Sequence, residues 1–320
     1  MKAPVVIETN QLVADEKELQ VSHNLQAYAH AATSDNTRKA YRDDAQHFIA
    51  WGGLLPTTPD VLLRYLEAHA PTLNPQTLRR RLTALKHWHT YQNLPDPTSH
   101  PLVLKTMSGI IRVHGRPADK SPALTLEQLA TMVEYLNTHN RLVDARNNAL
   151  VQTGFFGAFR RSELAAIHWE HVSFVPEGME ILIPRSKTDQ DGEGRVCAIP
   201  FGNETLCAVS ALKRWQEMSG LTTGPTFRSV SRKNMIATRA LSPVSAGLIV
   251  KQLAIACHLP NANDYSGHSL RRGFATAASQ KGATLTAIMR QGRWKNERTV
   301  NGYIEEGQRF EDNAAGLLLK

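Results

Sequence analysis

The sequence predicts a mainly α-helical protein: a helical N-terminal domain, then a mixed α/β domain that is mostly helical with a small antiparallel sheet. Three observations carry this. Apolar residues recur at helical spacing over most of the chain, between Ser, Thr or Asn starts and Gly or Pro stops. One stretch without apolar period, RVHGRPADKSPALT from Arg112 to Thr125, has Gly, two Pro and Ser and marks a linker. Another, MEILIPRSKTDQDGEGRVCAIPF, changes to a two-stranded pattern with DQDGEG as its turn.

Residues 1–20 show no periodic signal and are expected to be a flexible arm. From Val21 to Ile111 the chain reads as helices with short punctuation. SDNTRKAYRDDAQHFIAWGG starts at Ser34 to Asn36 and stops at Gly52-Gly53, and TPDVLLRYLEAHA starts at Thr58-Pro59 and ends at Pro71. NPQTLRRRLTALKHWHTYQNLP starts at Asn74-Pro75 and stops at Pro95, and a further helix is expected over Thr98 to Ile111. Beyond the linker, LTLEQLATMVEYL and NNALVQTGFFGAFRRSELAAIHW read as helices. After the hairpin, helices resume at Glu204 and dominate to the end. The expected boundaries are an arm over 1–20, a helical domain over 21–111, a linker over 112–124 and a second domain over 125–320.

Composition narrows the class. Of the 320 residues, 42% are hydrophobic and 21% charged, as in a soluble globular protein. A formal charge of +8 favours a polyanionic partner, either nucleic acid or an acidic membrane surface. Cys197, Cys207 and Cys257 lack the spacing of a zinc site and do not suggest a disulfide framework, so a reducing compartment is expected. The N-terminus has no secretion-signal core, and no 18-residue apolar run occurs, so a cytoplasmic protein is expected, or a nuclear one in a eukaryote.

Positive charge concentrates in the helix that starts at Asn74: Arg79, Arg80, Arg81 and Lys86, with His87, Trp88 and His89 beside them. Such a helix suits a DNA groove and its phosphates, and it equally describes a solvated face.

Four further segments could carry chemistry. In FRRSEL, Arg160 and Glu163 stand three apart on one helix face, with Arg161 directed elsewhere. An intrahelical ion pair satisfies that spacing, and so does an arginine held by a carboxylate for a phosphate. In SGHSLRRG, His268 and Arg271 repeat the arrangement behind the small residues Ser266 and Gly267, which allow close approach of an anion. Lys187 follows the first strand of the hairpin, where it is either solvated or able to reach and protonate a leaving oxygen. In GRWKNERTVNGYI, Trp294 and Tyr303 are nine apart, which on one straight helix turns them to opposite faces. A break at Asn301-Gly302 would bring them together. A tyrosine nucleophile needs positive charge or a base nearby, because a phenol ordinarily ionises near pH ~10. No Walker, GxSxG, HExxH or paired-carboxylate motif competes.

In order, GAFRRSEL, RSKTDQDG, GHSLRRGFAT and QGRWKNERTVNGYI make the sequence resemble the tyrosine site-specific recombinases of the phage integrase family, in the two-domain Cre or Xer form. The resemblance implies a core-binding domain and a catalytic domain forming a C-shaped clamp on duplex DNA. It implies that Arg160 and Arg271 clamp the scissile phosphate, that His268 and Trp294 place and stabilise it, and that Glu163 fixes the arginine. Tyr303 would attack to leave a 3′-phosphotyrosyl enzyme and a 5′-hydroxyl, and Lys187 would be the general acid. Arginines would stand in for a metal, with no ATP and no cofactor. The partners implied are an inverted-repeat recombination site, three further copies of the chain in a tetramer on DNA with the free protein monomeric, an accessory DNA-binding protein, and no membrane. The tail GQRFEDNAAGLLLK would dock on a neighbouring subunit. Three rival readings share parts of this pattern: a catalytically silent DNA-binding regulator, a type IB topoisomerase that relaxes supercoils without partner sites, and a hairpin telomere resolvase, which usually carries extra domains that 320 residues hardly accommodate.

Overall fold

The structure, a computed structural model, describes Tyr28, residues 31–117, 120–184 and 194–307, and Ala315 and Leu318. The expected arm over 1–20, the hairpin turn with Lys187, and most of the C-terminal tail lie outside the described residues. The protein is mainly helical, and it divides into two compact units between residues 118 and 119.

The first unit contains α1 (Asp35–Ala50), α2 (Pro59–His69), α3 (Pro75–Tyr91) and α4 (Pro101–His114). Their starts follow from side-chain chemistry. Ser34 Oγ accepts from the Thr37 N–H at 3.3 Å, and the Asn74 side chain accepts from the Gln76 N–H at 2.9 Å. Proline opens α2, α3 and α4, at a position where an N–H would have no intrahelical acceptor. The core joins Phe48 of α1, Leu62, Tyr65 and Leu66 of α2, Leu78 and Leu85 of α3, and Val103 and Met107 of α4. The fourth helix starts at Pro101 rather than Thr98, because Asp96 caps a separate single turn over Pro97–Ser99 by accepting from the Thr98 N–H at 2.9 Å.

The second unit begins with α5 (Leu126–His139), α6 (Leu142–Phe156) and α7 (Arg161–Ala165). A three-stranded antiparallel sheet follows, β1 (Val172–Val175), β2 (Gly178–Ile183) and β3 (Arg195–Pro200). The β2–β3 register pairs Met179 with Ile199 and Ile181 with Cys197, all four buried, so one face of the expected hairpin packs on the core. After α8 (Ala208–Ser219) comes a two-stranded pair, β4 (Arg228–Val230) and β5 (Ile236–Ala240). The unit continues with α9 (Pro243–Ala256), α10 (Gly267–Gln280), α11 (Leu285–Gly292) and α12 (Glu297–Gly307). Helix α6 is buried on all sides, from Asp144 to Phe155, and packs against α5, α8 and α10. Neither β1 nor the β4–β5 pair was expected from the sequence; strands of three to five residues give alternation too little length to register.

Two breaks in this unit position the site, and both correct the sequence reading. NNALVQTGFFGAFRRSELAAIHW is two helices, not one. Helix α6 ends at Gly157, Ala158 turns left-handed at φ 46°, and Arg160 becomes the N-cap of α7. A Cβ on Gly157 would lie 2.1 Å from Cε2 of Phe159, so the bend needs glycine there. The second break separates Trp294 from Tyr303 at residues 293–296, not at Asn301-Gly302. Arg293 caps α11 in the left-handed conformation at φ 57°, and Asn296 accepts from the Arg298 N–H at 2.9 Å to start α12. Asn301 and Gly302 are inside α12.

The start of α10 is fixed from both sides. Ser266 Oγ accepts from the His268 N–H and Ser269 Oγ from the Ser266 N–H, each at 3.1 Å. Residues 121–124, which the sequence reading counts as linker, run along this helix. The Leu124 N–H donates to the Ser269 carbonyl at 3.0 Å, and Ser121 and Ser266 share a hydroxyl hydrogen bond at 2.9 Å. Among the described residues no helix is long and apolar enough to cross a membrane.

Candidate active site

The bend at Gly157 to Arg160 carries the first part of the site. Glu163 accepts from Arg160 twice, Oε2 from the backbone N–H at 3.0 Å and Oε1 from Nη1 at 2.5 Å. The ion pair expected from the RxxE spacing therefore forms across the helix start, not along a helix face. Glu163 is buried and also faces Arg293, whose Nη2 lies 3.1 Å from Oε2. Burial alone would raise the Glu163 carboxyl; the guanidiniums of Arg293 and Arg160 and the Arg160 N–H outweigh it and hold the group below the usual carboxylate range.

Arg271, from the middle of α10, is 4% exposed. Its Nη1 donates to the Ala158 carbonyl, and its guanidinium carbon lies 3.9 Å from the centre of the Trp294 ring. Its Nη2 is buried and has no hydrogen-bond partner among the described residues. Burial, reinforced by Arg160 and Arg293 and opposed by Glu163, presses its ionisation down to about 9, so it stays charged at neutral pH. Trp294 then meets Tyr303 across the break, ring centres 6.2 Å apart and planes tilted by 63°. Tyr303 lies in α12, half-buried, with the Arg272 guanidinium 5.3 Å from its ring, and its carbonyl accepts from Thr276 Oγ1 at 3.1 Å.

His268 stands at the first turn of α10. Desolvation lowers the imidazole below its ordinary value, and Arg161, Arg271, Arg160 and Arg272 add to the shift, although much of the residue's surface is open. The ring is therefore neutral at physiological pH in the free protein. Arg160, Glu163, His268, Arg271, Trp294 and Tyr303 thus share one neighbourhood, linked by contact or by charge. Lys187 lies outside the described residues.

The structure adds three residues. Arg293, not singled out from the sequence, is buried against Glu163. Arg272, next to Arg271 and absent from the expected set, donates to the Ser121 carbonyl while facing the Tyr303 ring. Arg161, which the helical spacing directs elsewhere, lays its stem across the start of α10, where a Cβ on Gly267 would lie 2.2 Å from its Cγ. The signal for that contact was the glycine of SGH.

In the first unit the basic helix α3 is less uniform than its sequence. Arg79 is exposed. Arg80 binds Asp44 through Nε at 2.7 Å and Nη2 at 2.9 Å. Arg81 turns inward, donating to the Tyr65 hydroxyl at 3.0 Å with Asp44 3.6 Å away, so it is a core residue and not part of an open basic face. Lys86 lies 3.4 Å from Asp96, and His87 packs between Tyr41 and Tyr91 at 5.0 and 4.3 Å.

Known proteins resemble this chain in sequence and in fold. The phage integrase family model matches residues 122–309. An integrase/recombinase xerD homolog of Selenomonas ruminantium is 38% identical over 291 residues, spanning 88% of this chain and 84% of that protein. The recombinase Cre of Escherichia phage P1 is 27% identical, spanning 89% of this chain and 94% of that one. A lambda integrase fragment solved as a dimer bound to a COC′ core site superposes with a TM-score of 0.62 at 14% identity, over 90% of this chain and 95% of that one. XerH bound to palindromic difH superposes at 0.61 with 20% identity, over 82% and 73%. Those structural likenesses speak for the fold, and the sequence match speaks for the family. The chain belongs to the phage integrase family, as a tyrosine recombinase of the Cre and Xer type.

Proposed function

We propose that the protein is a site-specific DNA recombinase that cuts and rejoins strands through a 3′-phosphotyrosine and a Holliday junction. One observation carries this: a buried, charged Arg271 whose Nη2 has no partner among the described residues, held between the Ala158 carbonyl and the Trp294 ring, beside Tyr303. A phosphate diester brought there supplies the acceptor that the guanidinium lacks.

In this reading the Tyr303 phenol gives its proton to solvent as its oxygen bonds to the scissile phosphorus. The P–O5′ bond breaks, and Lys187 protonates the departing oxygen. Arg160 and Arg271 meet the charge that develops on the non-bridging oxygens, and His268 and Trp294 orient the phosphate. A 5′-hydroxyl of the partner strand then attacks, its proton passing to the Lys187 amine; the phosphotyrosyl bond breaks and Tyr303 is reprotonated from solvent. The bond energy stays in the ester, which removes the need for ATP.

The helical domain over residues 21–111, within the first unit, would bind DNA through α3, with Arg79, Arg80, Lys86 and His87 as contacts; Arg81 supports that helix from within. The second unit would supply the chemistry. DNA-bound relatives, among them a lambda integrase tetramer on a Holliday junction, support duplex DNA as partner and a tetramer as the acting form. A cytoplasmic location fits that task.

The test begins by selecting the preferred inverted repeat from a randomised duplex pool, then building it into a nicked duplex on which cleavage is irreversible. A covalent adduct is expected with the wild type and not with Tyr303→Phe. An adduct that persists in Tyr303→Phe refutes the nucleophile. Relaxation of a plasmid lacking the selected repeat would instead indicate a topoisomerase.

A further inference from the structure

We infer that Arg293 is a positioning residue for strand cleavage: it fixes Glu163, and through Glu163 the guanidinium of Arg160, while its own backbone turn sets Trp294 against Arg271. The inference rests on the recombinase reading above and goes beyond it, to a residue outside the expected catalytic set.

The backbone is the first observation. Arg293 has φ 57°, in the left-handed region that glycine enters freely and that a side chain with a Cβ enters only at a cost. An arginine at such a position implies that its side chain returns something for that cost.

The side chain's contacts show what it returns. Arg293 is buried, and both of its Nη atoms are taken up by protein acceptors. Nη1 donates to the Gln291 carbonyl at 2.7 Å, and Nη2 is shared between the Gly157 carbonyl and Glu163 Oε2, both at 3.1 Å. The guanidinium also lies 4.7 Å from the Phe159 ring. Both Glu163 oxygens are thereby occupied, Oε1 by Arg160 Nη1 and Oε2 by Arg293 and the Arg160 N–H. The carboxylate cannot rotate without breaking one of these bonds, and the Arg160 side chain inherits that constraint.

The bend couples the second arginine to the same residue. The consecutive carbonyls of Gly157 and Ala158 receive Arg293 and Arg271 respectively, so a shift of the bend moves both guanidiniums. The residue after Arg293 is Trp294, which covers Arg271. One buried side chain thus ties Arg160, Arg271 and Trp294 into one geometry, and displacements of about 1 Å in such an arrangement cost up to about 10²-fold in rate.

Arg293→Gly separates the two roles, because it keeps the left-handed turn and removes the guanidinium. On the nicked duplex carrying the selected repeat, it is expected to bind DNA within about threefold of wild type and to cleave about tenfold or more slowly at saturating protein. Glu163→Gln is expected to slow cleavage comparably, and the double variant to be little slower than Glu163→Gln alone, since both changes cut one chain of contacts. Arg293→Lys, which keeps the charge without the fork, is expected to fall between wild type and Arg293→Gly, and it reports on the same role if the glycine variant does not fold. Cleavage by Arg293→Gly within twofold of wild type overturns the inference; so do multiplicative losses in the double variant, and so does full activity in Arg293→Lys. If the wild type forms no adduct, or Tyr303→Phe still does, the recombinase reading falls and this inference with it. Failure of the Arg293 variants alone leaves that reading standing.

Discussion

Arg271 lies over the Trp294 ring, its guanidinium carbon 3.9 Å from the ring centre, and the same ring meets Tyr303 of α12. Tryptophan here offers a face for a cation and one N–H donor; it has no proton to exchange near neutral pH. Trp294→Phe keeps the face and is expected to retain most of the cleavage rate. Trp294→Ala removes a buried ring that joins Ala158, Ala275, Ile288 and Val300, and should cost about 3–5 kcal/mol of stability. Thermal melts together with single-turnover cleavage separate the two effects. Equal cleavage by all three proteins would mean that the cover over Arg271 is dispensable.

Gly292 leaves the space that this ring fills. A Cβ there would lie 1.8 Å from Trp294 Cζ3, so Gly292→Ala must displace the indole, and cleavage should fall well below wild type. Gly302 sits in the interior of α12, and a Cβ added there would meet nothing within 4 Å. Gly302→Ala should therefore stabilise the protein by about 0.5–1 kcal/mol and leave cleavage unchanged. Melting temperature and adduct yield of the two variants check both halves.

The contrast between those glycines shows what the sequence could reveal. The helices, the β2–β3 hairpin and the order of the site motifs were legible, because caps, periodicity and local spacing are short-range signals. Asn301-Gly302 looked like the break because Asn and Gly favour left-handed turns, yet the turn is made by Arg293, and Ala158 makes the other. Neither residue type signals that conformation; tertiary contacts hold both there. Arg293 and Glu163 are far apart in the chain, as are Asp44 and Arg80, so pairings that bury a charge had no local trace.

Acid should weaken the fold through His268. Its folded-state value lies below the unfolded ~6.5, so between the two the unfolded chain binds more protons. The contribution is complete above pH ~6.5 and is lost as pH falls from there through the folded value. His268→Gln should lose stability less steeply than wild type across that window, with the difference small because the residue is largely open to solvent. A phosphate beside the ring reverses the shift: DNA binding should take up a proton in wild type and not in His268→Gln. Denaturation curves at several pH values and calorimetry in buffers of different ionisation enthalpy test the two parts. Identical pH dependence in both proteins counts against a lowered imidazole.

The three adjacent arginines of α3 should behave in three ways, although the sequence presents them alike. Arg79 is exposed, so Arg79→Ala should weaken DNA binding and reduce the slope of log affinity against log salt by about 1, leaving stability unchanged. Arg81 is buried with the Tyr65 hydroxyl and the Asp44 carboxylate, so Arg81→Ala leaves Asp44 with one guanidinium fewer, and should cost on the order of 3 kcal/mol with the salt slope intact. Arg80 is pinned to Asp44 by two hydrogen bonds yet reaches solvent, so Arg80→Ala should lose some of each. Because Asp44 already offsets its charge, its share of the salt slope should be below that of Arg79. Urea titration and filter binding at several salt concentrations give both quantities for each variant. If Arg81→Ala lowers the salt slope while stability holds, the inward placement of that side chain is wrong.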